Sequence, residues 1–344
     1  MGLFFYVLTR PRDPKRTLTR RLKLTKPVLW KGFPNVISSD QFDPQFLVEE
    51  LFTLANQMIG LAGEGGSGIL QGKSIFLLFY EASTRTVTSF KRAAKLLGAD
   101  VDSTENAKMF SSAVKGESLE DTIRILNGYA YDLIVIRYDQ VGGADRAANC
   151  SDVPVINAGD GNGEHPTQAL LDLYTIYRYF DRLNGLQVAL VGDLFNSRTI
   201  HSLAYLLAKI GGVRLALVSP SVFRLDDSTK ASLIESGCQF RETSNLLDVA
   251  SEVDVVYLTR LQKERLDDAR KANTWGDKGD VRVCINDEVL SKLPKKSIIL
   301  HPLPRSDEFM ELPEKFDGDP RVRIFQQAQN GLFIRMALLK MILG

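Results

Sequence analysis

From position 36 onward, two hydrophobic spacings alternate along the chain. Short β-rich runs at 74–80, 132–137 and 153–157, then at 187–191, 214–218, 254–259 and 297–301, predict strands. Stretches with apolar residues three and four apart lie between them and predict helices. Such alternation predicts parallel sheets, because a parallel pair needs a crossover long enough to hold a helix. The strands fall into two groups. A helix over 165–183, with Leu170, Leu171, Tyr174 and Tyr177 at helical spacing, lies between the groups and is long enough to join two domains. Another, over 325–343, closes the chain. The fold class is therefore expected to be α/β: two doubly wound domains with parallel sheets joined by interdomain helices.

The length of 344 residues agrees, since domains commonly hold roughly 100–200 residues. With 43 Lys and Arg against 42 Asp and Glu, the net charge of +1 excludes a uniformly basic nucleic-acid coat and an acidic solvating tail. The balance is uneven. Residues 1–31 carry nine basic residues and one acid, Asp13, leaving 34 basic against 41 acidic residues and a net −7 elsewhere. The basic segment predicts an extension over 1–32, either disordered or an organelle-targeting peptide for plastid or mitochondrion, although it contains no serine. Its charges follow its apolar start, which is the reverse of a secretory signal. Three widely spaced cysteines, Cys150, Cys238 and Cys284, make no disulfide framework and suit a reducing, cytoplasmic or organellar interior. Apolar runs stay short of the roughly 20 residues that cross a bilayer, so neither membrane nor nucleic acid is an expected partner.

The most informative stretch is Ser83-Thr84-Arg85-Thr86, between an apolar strand and a helix with Val87, Phe90, Ala94 and Leu97 inward. Unpaired N–H groups and the positive dipole end at a helix start favour an anion, and three hydroxyls plus a guanidinium suit phosphate oxygens. A second cluster is the glycine-rich run from Gly159 to Gly163, leading through Glu164 to His165-Pro166-Thr167-Gln168. Pro166 fits a first helical turn, and His165 and Gln168, three apart, share a face suited to a polarised carbonyl. Arg137, Arg198 and Arg260 each follow a predicted strand. Ligands of open α/β sheets bind at those ends, so converging guanidiniums imply a multiply anionic ligand. In His301-Pro302-Leu303-Pro304-Arg305 the prolines stiffen a turn that exposes the Pro302 and Leu303 carbonyls. The loop holding Ser111 and Lys115 leads to a helix start at Ser118 with Asp121 three residues on, and by itself fits a plain connector. Neither G-x-G-x-x-G nor the P-loop pattern occurs, which argues against a dinucleotide or ATP enzyme, and no metal-ligand spacing appears.

Together with Thr259-Arg260-Leu261-Gln262, these motifs resemble, in order and interval, those of the aspartate carbamoyltransferases, over about 33–343. The resemblance implies a carbamoyl phosphate domain, 33–176 plus 325–344, and an aspartate domain, 177–324. It implies catalytic roles for His165, Arg85, Thr86, Arg137 and Lys115. Ser83, Thr84, Arg85, Thr86, Arg137, Ser111 and Lys115 would hold carbamoyl phosphate, with His165, Gln168, Pro302 and Leu303 at its carbamoyl end. Arg198, Arg260, Gln262 and Lys115 would address L-aspartate. No metal or organic cofactor is implied. The similarity also implies a homotrimer in which Ser111 and Lys115 reach a neighbour's site; whether regulatory chains bind is left open. Val87 and Val114 depart from the family, standing where an arginine and, in some members, a lysine occur. A non-catalytic scaffold or allosteric paralogue is one alternative, and a transcarbamoylase for another amine, such as ornithine, is a second.

Overall fold

The computed structural model describes residues 34–107, 116–265, 281–306 and 308–344. The basic extension at 1–32, and Ser111, Val114 and Lys115, lie outside the described residues. Two parallel sheets are present. The first holds β1 (Ser74–Phe79), β2 (Asp100–Thr104), β3 (Leu133–Tyr138) and β4 (Val155–Asp160) in the order β2-β1-β3-β4. The second holds β5 (Gln187–Val191), β6 (Arg214–Val218), β7 (Gln239–Thr243), β8 (Val255–Leu258) and β9 (Ile298–Leu300) in the order β7-β6-β5-β8-β9.

The seven expected strands form within two or three residues of their sequence limits. β4 runs on to Asp160, so Gly159 and Asp160, read in sequence as loop, end a strand. β2 and β7 have no counterpart among the sequence expectations. Both are edge strands, and their sequences, DVDST and QFRET, are polar and partly exposed. Only in-register pairing, Ser74 with Asp100 and Arg214 with Gln239, makes them strands, and no hydrophobic pattern announces it.

The inner strands bury both faces, with a period of two. Ile75, Leu77 and Phe79 enter one apolar cluster while Leu78 and Tyr80 enter another. In the second sheet Val188, Leu190, Val255 and Tyr257 join the first of those clusters, whereas Ala189, Val191, Val256 and Leu258 face a third. One core thus runs continuously between the sheets. Named helices are α1 (Thr53–Gly63), α2 (Thr84–Leu96), α3 (Leu119–Gly128), α4 (Gly143–Cys150), α5 (Pro166–Phe180), α6 (Arg198–Ile210), α7 (Asp227–Glu235), α8 (Asp287–Lys292) and α9 (Ile324–Leu343).

Helix α9 explains the continuity. It packs on α1, α2 and α5, so the end of the chain returns to the first sheet. Ile334, Met336, Ala337, Leu338 and Leu339 on successive faces are all fully buried, so the later turns of this helix are covered all round, while its first turns expose Phe325. Burying one leucine side chain stabilises by about 1.5–3 kcal/mol, so this helix holds the two units firmly together. Val87, the departure from the family pattern, lies buried in the same cluster.

Candidate active site

The carboxyl ends of β1, β3, β5, β8 and β9 open onto one cavity of about 760 Å³ between the two sheets. Every described residue expected from sequence at the site lines it, from Ser83 and Arg85 on one wall to Arg260 and Gln262 on the other. Parallel strands place all their carboxyl ends on one side, and that is why residues 83 and 303 can meet.

On the first wall, Ser83 is the N-cap residue of α2, yet its side chain makes no cap hydrogen bond. The hydroxyl is left for something else. The first-turn N–H groups of α2 are likewise without intrahelical partners, as at any helix start. Arg85 follows in that turn, and burial lowers its pKa. Arg137, on β3, is nearly enclosed; burial foremost, then the neighbouring Arg198, lowers its pKa to about 9, so it stays cationic at neutral pH. Its Nε is buried without a hydrogen-bond partner among the described residues. Gly159, at φ 115°, makes this crowding possible, because a Cβ there would approach the Arg198 guanidinium carbon to 3.3 Å.

His165 caps α5 with its backbone, and its N–H donates to Ser202 Oγ at 3.0 Å. The ring lies 3.5 Å from Thr167 Oγ1 through Nδ1, and Nε2 meets no protein partner among the described residues. Full burial first, then the charges of Arg137 and Arg198, hold its pKa well below 6.5, so the imidazole is neutral. A neutral ring can donate to a carbonyl oxygen and add no charge before the reaction does. One turn on, the Gln168 amide donates to Asp172 Oδ1 at 2.9 Å.

The second wall is differently prepared. Arg198 opens α6, with its NH1 donating to Gly161 O at 2.7 Å and its NH2 3.3 Å from Glu81. Glu81 also pairs with Arg137 at 3.3 Å, so one carboxylate ties the two arginines together. Arg260 is spent on Glu264 four residues later, and both side chains are substantially exposed. The Gln262 backbone N–H and amide reach Asp193 Oδ2 at 3.2 and 3.5 Å. Gly192, at φ 111°, lets β5 pass β8 here; a Cβ would fall 2.2 Å from the Thr259 carbonyl oxygen.

The floor is the turn after β9. Leu303 has φ 61° and precedes a cis bond to Pro304. The Leu303 N–H donates to His301 Nδ1 at 2.8 Å, and His301 Nε2 lies 3.0 Å from the buried Glu311. With Nδ1 accepting, the proton sits on Nε2.

Sequence reasoning assigned no role to Glu81, Asp172, Gln327 or Arg335. Asp172 carried a signal, standing four residues after Gln168 on the same helix. Arg335, buried in α9 with its guanidinium over the Phe90 ring and donating to Ser89 Oγ at 2.8 Å, carried none, because 246 residues separate it from that serine. Among the described residues, no group of three or more His, Cys, Asp or Glu is placed to hold a metal ion, and no helix is long and apolar enough to cross a membrane.

Fixed cations and neutral donors lining a crevice between two parallel-sheet units define a class of enzyme that brings anionic substrates together. Comparison with known proteins narrows the class. Residues 35–178 match the description "Aspartate/ornithine carbamoyltransferase, carbamoyl-P binding domain", and residues 184–342 match "Aspartate/ornithine carbamoyltransferase, Asp/Orn binding domain". The chain belongs to the aspartate/ornithine carbamoyltransferase family. It is 49% identical to aspartate carbamoyltransferase 1, chloroplastic, of Pisum sativum, over 90% of this chain and 78% of that one. It is 44% identical to the aspartate carbamoyltransferase catalytic subunit of Methanothermobacter thermautotrophicus, over 91% and 96%. Among solved structures, aspartate transcarbamoylase from Trypanosoma cruzi in complex with N-(phosphonacetyl)-L-aspartic acid superposes with a TM-score of 0.82 at 36% identity, over 90% of this chain and 96% of that one.

Proposed function

We propose that this chain is a catalytic chain of aspartate carbamoyltransferase. The α-amino nitrogen of L-aspartate attacks the carbamoyl carbon of carbamoyl phosphate, the carbon–oxygen bond to the phosphoryl group breaks with its electron pair leaving on phosphate, and the amine loses a proton. N-carbamoyl-L-aspartate and phosphate result, with no redox equivalents consumed. The observation that carries this reading is the convergence of Arg85, Arg137, Arg198 and Arg260 with the neutral His165 on one cavity.

In this reading Ser83, Thr84, Arg85, Thr86 and Arg137 hold the phosphoryl group. The unspent Ser83 hydroxyl and the open first turn of α2 support it. His165 donates to the carbamoyl oxygen as charge develops there, while Gln168 and the Pro302 and Leu303 carbonyls accept from the carbamoyl NH2. Arg198, Arg260 and Gln262 take the aspartate carboxylates. Both substrates are anions, so the enzyme overcomes their repulsion with cations fixed before they arrive, and gains further by orienting them.

The assigned site roles belong to the same reading, as do the division into a carbamoyl phosphate unit, 33–176 plus 325–344, and an aspartate unit, 177–324. So do a homotrimer with Ser111 and Lys115 acting in a neighbour's site, a place in pyrimidine biosynthesis, and plastid delivery by the basic extension. Delivery to a plastid is supported by the chloroplastic plant relatives. Phosphate release from carbamoyl phosphate, measured in parallel with L-aspartate and with ornithine, is the test. Aspartate-dependent release is expected; release only with ornithine, or with neither amine, would overturn the assignment.

A further inference from the structure

The carbamoyl end of the crevice rests on a carboxylate that faces away from it. Asp172, on α5, is fully buried. Its Oδ1 accepts from Gln168 Nε2 at 2.9 Å and from Gln327 Nε2 at 2.7 Å, and its Oδ2 accepts from the Tyr257 hydroxyl at 2.6 Å. Those three donors come from α5, α9 and β8, so one side chain collects bonds from the interdomain helices and the second sheet. Burial raises its pKa to about 6, opposed by its three donors and the field of the buried Arg335, so it is ionised at neutral pH.

An ionised carboxylate only accepts, and that property dictates how both amides lie. Gln327 must give Asp172 its nitrogen, so its oxygen is free to accept from the His301 backbone N–H, as it does at 2.8 Å. Gln168 must do the same, so its oxygen is left to the cavity it lines, where it meets no donor among the described residues. The Pro302 and Leu303 carbonyls, on the turn that His301 begins, accept no hydrogen bond among the described residues either. The local arrangement is therefore a set of acceptors.

We infer that Asp172 is a positioning residue that sets substrate specificity at the carbamoyl end: by accepting the N–H hydrogen bonds of the Gln168 and Gln327 amides it makes the subsite an acceptor surface that selects an NH2 group. This rests on the reading of carbamoyl phosphate as the substrate. It assigns to Asp172 a role that contact with substrate would not reveal.

An Asp172→Asn chain offers one acceptor oxygen and two N–H groups to three donors. Gln168 is then drawn to turn its oxygen inward and present N–H to the substrate NH2. The full-length protein is compared with Asp172→Asn, Gln168→Leu and Gln327→Leu, measuring KM for carbamoyl phosphate at saturating aspartate and the inhibition constant of inorganic phosphate, which has no NH2. An unmade hydrogen bond to a buried group predicts a rise in KM of about 10-fold for Asp172→Asn, with the phosphate constant within about 2-fold. A parallel rise of both constants would mean a general loss of the site and overturn the inference, as would no change in either. Should Asp172→Asn not fold, Gln327→Leu is expected to show the same selective pattern more weakly, and an unchanged KM there overturns it. Gln168→Leu separates the two levels. If it raises KM while Asp172→Asn and Gln327→Leu are silent, the inference fails and the reading of Gln168 stands; if it is silent too, the reading of Gln168 itself fails.

Discussion

The two walls of the crevice carry the same kind of side chain in different states. On the first, Ser83 makes no cap hydrogen bond and Arg137 is enclosed, held in place by burial and Glu81. On the second, Arg260 lies substantially exposed and paired with Glu264, four residues along its own chain. An exposed ion pair contributes about 0–1 kcal/mol, so Arg260 can exchange its Glu264 partner for another carboxylate at little cost. Burial, by contrast, fixes Arg137 before any ligand arrives. The lesson is that burial and the shared Glu81 fix Arg137 and Arg198 in place, whereas Arg260 is left to exchange a surface partner.

The sharpest test of that contrast falls on the first wall. His165→Ala should lower turnover by about 10²- to 10³-fold, the usual loss for a donor to a developing oxyanion. The inhibition constant of inorganic phosphate should hardly move, because the proposed phosphoryl contacts lie on α2 and β3. If turnover survives, His165 is not the donor.

Next in size, Arg260→Ala should raise the apparent KM for aspartate by about 10- to 100-fold, the range for a lost hydrogen bond to a charged group. Saturating carbamoyl phosphate kinetics should be nearly untouched. A KM for aspartate equal to the parent's would erase the distinction between the walls. Smaller again is the effect of the proposed sharing of sites between subunits. Mixing Lys115→Ala with Arg85→Ala subunits should restore a fraction of the activity that neither has alone, since some sites then combine intact contributions. No recovery at any mixing ratio would place Lys115 in its own chain's site, or in none.

The smallest expected effect concerns pH. Because burial holds His165 well below its ordinary 6.5, its ring stays neutral through that pH, and kcat should show no acid limb there from this residue. Stability carries the opposite sign of information. The unfolded chain takes up a proton at about pH 6.5 that the folded chain refuses, so this histidine costs stability progressively as pH falls below that value, at most about 1.4 kcal/mol per pH unit. An acid limb near 6.5 that vanishes in His165→Gln would contradict the neutral-ring assignment.

Much of this was legible in the one-dimensional pattern. Seven strands and the long helices at α5 and α9 follow from period and length, because a buried strand or a sandwiched helix must be apolar on the faces it hides. The motif at Ser83 was legible because its strand-to-helix position and its residue types point to the same anion. The polar edge strands β2 and β7 were not, since pairing alone makes them strands. Nor were Glu81, Gln327 and Arg335, whose partners lie far away in sequence: Gln327 reaches Asp172 across 155 positions.

The sequence by itself therefore determined the local chemistry: which turns begin helices, which residues there offer hydroxyls, guanidiniums or carbonyls, and which family the order of motifs resembles. Those properties depend on neighbours a few residues apart. Only the tertiary structure decided which guanidinium is enclosed and which is spent on a surface partner, that His165 is neutral, and that Asp172 turns two amides at once. Burial and long-range contact set a group's charge and orientation, and neither is written in the residues beside it.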